Sequence, residues 1–266
     1  MDMGSIISVT NLSFSYGKRQ VFKNLNFDIE KGSFVTIIGP MASGKTTLIR
    51  LLSGLEDSKD SILINGSKTT KRALKQVGVV FNIEEAIPES KTVMQEIIIK
   101  LSSSPLKGKT LETKIADIFN ELEITSLLQR NPRTLSVSDK YLINLAIIIL
   151  LKYEVIIIDS DMNFSNAEKD VVLDLLRRLA RLKGTTIIYA TNDTNDLLYS
   201  NQTIILNNGK IVIKDETYNV LNMNNILEDN HLIKPFVCQL SDKLKFYNAV
   251  DKTYYNMHDM VDSIWK

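Results

Sequence analysis

The segment Gly39-Pro-Met-Ala-Ser-Gly44-Lys45-Thr46 has the spacing G-x-x-x-x-G-K-[ST]. Its neighbours constrain the chain as much as the pattern does. Ser33-Phe-Val-Thr-Ile-Ile38 is an apolar run of strand length that ends at a glycine, and a helical pattern runs from Lys45 to Ser53. A loop between such elements lets backbone N–H groups wrap a phosphate and seats it on a helix N-terminus. Lys45 is then placed to reach the β- and γ-phosphates, and the Thr46 hydroxyl to ligate Mg²⁺. The expected nucleotide cradle is Gly39, Pro40, Met41, Ala42, Ser43, Gly44, Lys45, Thr46 and Thr47. The competing reading is a plain strand-to-helix turn with a solvated lysine. A site of this kind needs a second half, a carboxylate at the tip of another buried strand. Asp159, closing the β-branched run Val155-Ile-Ile-Ile158, fits that role and would hold the Mg²⁺ shell.

Composition removes several other classes. Among 266 residues, 32 basic and 31 acidic side chains give a net charge of +1, which offers no support for broad electrostatic binding of nucleic acid. One cysteine, Cys238, excludes a disulfide scaffold or a cysteine-rich metal site, and it reads as a packed thiol. His231 and His258 lie in the tail without metal-ligand spacing. The longest apolar stretch, Leu142 to Leu151, is interrupted by Asn144 and is far short of the roughly 18 residues of a membrane span. The N-terminal residues lack a basic-then-apolar leader. The expectation is an intracellular chain that does not itself cross a membrane.

Strand and helix alternate along most of the sequence. Short strands are expected at Ile6–Val9 and Val21–Ile29 around a Gly17-Lys18 turn, then at Ser61–Asn65 and Val77–Phe81. Lys91–Leu128 reads as helical, punctuated by Ser102-Ser-Ser-Pro105, and a further helix spans Asp139–Lys152. After the Val155 run come a helix at Asn166–Leu182, a strand at Thr185–Ala190, and a hairpin of Thr203–Leu206 and Lys210–Ile213 about Asn207-Asn208-Gly209. The class is α/β, with helices on a largely parallel sheet, an antiparallel β subdomain and a helical insert near 91–140. Residues 1–221 form the expected nucleotide-binding domain and 222–266 a C-terminal extension ending in an amphipathic helix with Met257, Met260, Val261, Ile264 and Trp265.

Phosphate loops serve kinases, GTPases, helicases and transport ATPases alike, so the loop alone does not choose. Three other segments do. Tyr16, in Phe14-Ser15-Tyr16-Gly17, precedes the loop; Leu135-Ser136-Val137-Ser138-Asp139-Lys140 opens a helix some twenty residues before Asp159; Tyr189-Ala190-Thr191-Asn192-Asp193 ends a strand. In this arrangement the chain resembles ATP-binding-cassette (ABC) ATPases, over residues 5 to about 220. The resemblance implies that Tyr16 stacks on adenine. It implies that Ser136, Val137, Ser138 and Asp139, in the place of Leu-Ser-Gly-Gly-Gln, cap the nucleotide of a partner subunit. It implies that Asn192 stands at the switch position of Ala-Thr-His-Asp. Val77-Gly-Val-Val-Phe81-Asn82…Thr92-Val93 and the tail around Lys234-Pro235-Phe236 are similar to the ATPase subunits of energy-coupling-factor importers.

The departures from that family fall on hydrolysis. Its catalytic glutamate is here Ser160, its switch histidine Asn192, its Mg²⁺-sensing glutamine Asn82, and its loop aspartate Asn166. A serine cannot hold a negative charge beside the attacking water, and loss of a general base costs about 10²–10⁴-fold in rate. Asn192 can donate a hydrogen bond toward a γ-phosphate but cannot shuttle a proton. Val137 brings bulk and Asp139 negative charge where the family has glycine and glutamine. In the six residues after Asp159 the only carboxylate is Asp161, a poor substitute for that base. The sequence therefore predicts MgATP binding with weak hydrolysis. The resemblance implies a paralogous ABC ATPase subunit as partner, an integral membrane transport subunit, a membrane substrate-binding subunit, a peripheral place on the cytoplasmic face, and a micronutrient (vitamin or metal ion) as cargo. A soluble regulatory nucleotide-binding module and a phosphate-loop kinase stay as alternatives.

Overall fold

The computed structural model describes residues 4–69, 74, 76–80, 90–102, 107–160, 165–223 and 225–265. The run after Ser33 becomes β3 (Phe34–Ile38), with every residue buried. β7 (Val155–Asp159) and β8 (Thr186–Thr191) are buried throughout as well. Along these strands alternate side chains feed opposite cores. Ile156, Ile158, Ile187 and Tyr189 enter one cluster, and Val155, Ile157, Ile188 and Ala190 enter the other. A strand with both faces covered has no polar face to show, so it reads as an unbroken β-branched run.

These strands belong to a six-stranded sheet ordered β10-β9-β3-β8-β7-β6. β6 is Val77–Val80, and the edge hairpin of β9 (Gln202–Asn207) and β10 (Lys210–Glu216) is antiparallel. β3 pairs in parallel with both β8 and β9, and β7 with β6 and β8. The hairpin turns where the sequence expects it, with Asn208 and Gly209 at φ 48° and 69°, the double positive φ of a primed turn.

A second sheet, ordered β2-β1-β4-β5, is antiparallel. β1 (Ser5–Tyr16) and β2 (Arg19–Glu30) are twelve residues each, longer than the sequence reading. Their pairing shifts register near Val9/Leu12, Leu12/Phe14 and Phe14/Ser15. Each bulge resets the in–out alternation, which is why the pattern looks incomplete in sequence. β4 is Ile62–Ile64, and the two-residue β5 (Ser67–Lys68) has no sequence counterpart.

Helix α1 (Lys45–Leu52) packs between the sheets. α2 (Val93–Lys100) and α3 (Gly108–Glu121) form the helical insert. In α4 (Val137–Leu150) every residue from Tyr141 to Leu150 except Asn144 is buried. The apolar stretch is thus a core helix. No helix among the described residues is long and apolar enough to cross a membrane. α5 (Asn166–Lys183) buries Val172, Leu173, Leu175, Leu176, Leu179 and Ala180. After the short α6 (Thr217–Asn222), α7 (Phe236–Phe246) and α8 (Met257–Ile264) close a third cluster over Ile38, Leu197 and Ile205. Cys238 is buried there, and burial pushes its thiol up to about 11, as befits a packed side chain. In α8 only Met260 is buried, and His258 Nδ1 lies 3.1 Å from Asp262 Oδ2.

Candidate nucleotide site

In this fold the phosphate loop, Asp159, Ser160 and Asn192 meet at one edge of the sheet. β3, β8 and β7 run parallel, with Ile38 opposite Thr191 and Asp159 opposite Ala190. The loop after β3, the Thr191–Asn192 tip of β8, and Asp159 with Ser160 after β7 therefore all leave the carboxyl end of the sheet. Ligands of open α/β sheets bind at that end.

The phosphate loop is built for close backbone approach. A Cβ on Gly39 would come within 1.9 Å of the Leu206 carbonyl oxygen and 2.8 Å of Ser43 Oγ. Gly44 takes φ 110°, and a Cβ there would meet the Phe22 ring at 2.9 Å. Gly44 is also the N-cap of α1, and no side chain caps that helix. No N-cap side chain competes with a ligand at this helix start. Ser43 Oγ is buried and has no hydrogen-bond partner among the described residues. Lys45 Nζ donates to the loop carbonyls of Gly39 (2.7 Å) and Pro40 (3.0 Å), and Thr46 is exposed. An uncapped helix start, a buried hydroxyl without a partner and a lysine folded over the loop together fit a bound phosphate chain.

At the tip of β7, Asp159 is 8% exposed. Ser160 N donates to Ala190 O at 2.9 Å. Burial and the nearby Asp196 charge push the Tyr189 phenol upward, so it stays protonated, in hydrogen-bond contact with Ser160 and Asp196. Asn192 is exposed. Its neighbours are fixed: Thr191 Oγ1 donates to Asp196 Oδ2 (2.7 Å), and Asp193 N donates to Thr191 Oγ1 (3.0 Å). Lys169 of α5 ion-pairs with both Asp193 and Asp196, at 2.9 Å for Asp196. Burial pushes the Asp196 carboxyl up, beyond what Thr191 and Lys169 offset. Burial acts the same way on Asp193, but the hydrogen bonds from Lys169 and Asn195 and the Lys169 charge together outweigh it, and the net direction is down. For Lys169 burial is outweighed by its two carboxylates, and its ammonium is held above the usual range.

The signature-like segment takes a form the sequence reading missed. Ser136 is the N-cap of α4 in a capping box: its Oγ accepts from Asp139 N, and Asp139 Oδ2 accepts from Ser136 N, both at 3.0 Å. The Asp139 carboxylate is turned back on its own helix. Val137 and Ser136 are exposed. The spacing Ser136-x-x-Asp139 is itself the signal, as is Ser165-x-x-Glu168 at the start of α5. Lys169 was missed because nothing local marks it; its partners lie 24 and 27 residues on. Tyr16, half-exposed at the end of β1, donates to Glu56 Oε1 at 3.3 Å and meets Phe14 edge-on. Asn82, Phe81 and Asp161 lie outside the described residues.

The family model for ABC transporters matches residues 22–163, more than half of the chain. The chain belongs to the ABC transporter family. Within the family it groups with the energy-coupling factor transporter ATP-binding proteins. One of these, EcfA1 of Fusobacterium nucleatum subsp. nucleatum, is 33% identical over 98% of this chain and 99% of its own length. Among solved structures, the fold is shared with cbiO1 of Clostridium perfringens, part of the ABC transporter complex cbiONQ. That likeness has TM-score 0.73 at 18% identity, covering 92% of this chain and 99% of the other. It is also shared with a dimeric ATP-binding cassette in a post-hydrolysis state bound to ADP and Pi. There the TM-score is 0.69 at 20% identity, covering 79% and 98% of the two chains. The mixed sheet, antiparallel subdomain and helical insert expected from sequence are those of this ABC fold.

Proposed function

We propose that this chain is the ATP-binding subunit of an energy-coupling-factor-type importer that binds MgATP but hydrolyses it weakly at its own phosphate loop. The carrying observation is the contrast at the carboxyl edge of the sheet. The loop from Gly39 to Thr47 has a helix start with no N-cap side-chain bond and a buried Ser43 hydroxyl with no partner among the described residues, whereas the position after Asp159 holds a neutral serine beside a protonated tyrosine. In this reading the α1 N–H groups and Lys45 hold the phosphates, Thr46 and Asp159 (with Asn82) hold Mg²⁺, and Tyr16 stacks on adenine. For that stacking the Tyr16 ring must leave Glu56. Mg²⁺, when bound, neutralises charge on the phosphoryl groups. Ser160 and Asn192 orient water and γ-phosphate by hydrogen bonds, without a base.

The likeness to energy-coupling factor ATP-binding proteins supports an assembly of that kind. The chain pairs with a paralogous ABC ATPase subunit, presents Ser136 to Asp139 toward that partner's nucleotide, and sits peripherally on the cytoplasmic face against an integral transport subunit and a substrate-binding membrane subunit. The cargo is a micronutrient, a vitamin or metal ion. Residues 1–221 carry the nucleotide chemistry and 222–266 are an extension.

Titration with MgATP and a parallel ATPase assay, on the chain alone and with its partner, test this. The expectation is saturable ATP binding by the chain alone with turnover near background. Ser160→Glu should raise turnover at least about tenfold, a fraction of what a general base supplies. Ordinary transporter turnover by the unaltered chain alone would overturn the impaired-site reading. Failure to co-purify with any integral membrane subunit would favour a soluble regulatory module.

A further inference from the structure

Both residues that flank Asn192 are fixed, and one cation fixes them. Thr191 is tied through its hydroxyl to Asp196 (2.7 Å), and Asp193 N is tied to that same hydroxyl (3.0 Å). Asp193 Oδ1 accepts from Asn195 N (2.9 Å) and Nδ2 (3.0 Å). Lys169 Nζ pairs with both carboxylates, and its side chain is 20% exposed while that of Asp196 is 3%. Lys169 stands in the first turn of α5, directly after the capping box of Ser165 and Glu168. Its stem is therefore anchored at the start of a well-held helix. On the far side of the same segment, Thr194 Oγ1 donates to Ile233 O, and Phe236 N donates to Asn195 Oδ1 at 3.2 Å. The turn after β8 is clamped from α5 on one side and from the C-terminal extension on the other.

We infer that Lys169 is a positioning residue, holding the Thr191–Asp193 backbone so that the Asn192 amide is presented to the terminal phosphate of ATP. This rests on the proposed placing of Asn192 at the γ-phosphate. Without Lys169, Asp193 and Asp196 face each other with no cation between them, and the backbone on either side of Asn192 loses its common anchor. The loss falls on a contact that ATP makes and ADP cannot. The phosphate loop, on β3 and α1, keeps its own hydrogen bonds, so ADP affinity is spared.

The experiment is calorimetric titration of the full chain, wild type, Lys169→Met and Lys169→Arg, with MgATP and with MgADP. The wild type should prefer ATP. Lys169→Met should weaken ATP about tenfold while ADP stays within about twofold, and Lys169→Arg should restore ATP affinity, since it keeps the charge. A purely structural role would move both nucleotides together; that result, or no change in either, overturns the inference. If Lys169→Met does not fold, Asp193→Asn replaces it, and an unchanged ATP preference there is equally fatal. A wild-type chain that binds no nucleotide brings down the site reading and this inference with it. A wild type whose ATP preference survives Lys169→Met brings down only the inference.

Discussion

Helices α1 and α4 each begin at a loop expected to touch a triphosphate, one on this subunit and one on its partner, and they begin in opposite ways. α1 starts at Gly44, left-handed and without a side-chain cap, beside a buried Ser43 hydroxyl with no partner among the described residues. α4 starts at Ser136, whose backbone N–H and hydroxyl are both engaged by Asp139. The first helix has no cap side chain competing with a ligand; the second engages the N–H groups of Ser136 and Asp139 in its own capping box. Burying an uncapped helix start costs hydrogen bonds, so a chain keeps one open where a bound anion repays it. The closed start of α4 implies that the Asp139 charge is first a helix cap and only second a neighbour of the partner's nucleotide.

The largest effect should come from the open end. Lys45 Nζ donates to the loop carbonyls of Gly39 and Pro40, so Lys45→Ala acts at the phosphate loop. It removes charge-assisted contacts to phosphate worth about 1.5–3 kcal/mol. ATP affinity should fall about tenfold to 100-fold by calorimetry. The thermal stabilisation that saturating ATP gives the wild type should shrink with it. Unchanged ATP affinity would show that the loop is not the phosphate site.

Next comes the closed end. Asp139→Ala opens the capping box and should cost about 1 kcal/mol, a fall of roughly 2–4 °C in melting temperature for a chain of this size. With the partner subunit present it should also raise ATP turnover a few-fold, about 0.6–1 kcal/mol of barrier, because the N–H of Ser136 becomes available and a negative charge is gone. A drop in stability with no change in turnover would leave α4 a helix start and nothing more. Ser165→Ala, which breaks the equivalent box on α5, is the control. It should cost a similar amount, about 1 kcal/mol, while turnover stays put.

Much of this was legible in the sequence, for a physical reason in each case. The phosphate loop showed because tight backbone approach demands glycine at fixed spacing, and β7 showed because strands covered on both faces are apolar without interruption. The alternation of strand and helix gave the layered fold. β1 and β2 were read too short because bulges break the period that marks a strand. The capping boxes are legible as Ser-x-x-Asp and Ser-x-x-Glu, but the family resemblance casts Asp139 only as a negative charge beside the partner's nucleotide. The clamp on Asn192 was invisible because its cation comes from another element, and pairs made by topology leave no local pattern.

The smallest effect concerns that clamp and follows its titration. The Asp193 carboxyl is held below its ordinary 3.8, so its contribution to stability is full above that value and is lost as pH falls through the lower folded one. Lys169 is held above 10.5, so its contribution is full below that value and is lost as pH rises through the higher folded one. Asp196 is raised, which opposes Asp193 on the acid side, since its buried charge is relieved on protonation. Tyr189 is protonated whether folded or unfolded below about pH 9 and adds nothing there. The difference in melting temperature between wild type and Lys169→Met should therefore be level from about pH 6 to pH 9. On acidification it should shrink from about pH 5 downward, earlier than Asp193 alone would give, because two carboxylates stripped of their cation take up protons more readily. In the same variant the α1 end should be indifferent: the stabilisation by MgADP should match the wild type at every pH in that range. A level difference down to about pH 3 would mean that the ion pairs carry no weight in holding the segment. The bond from Thr191 to Asp196 and the two bonds to the C-terminal extension would then hold it alone.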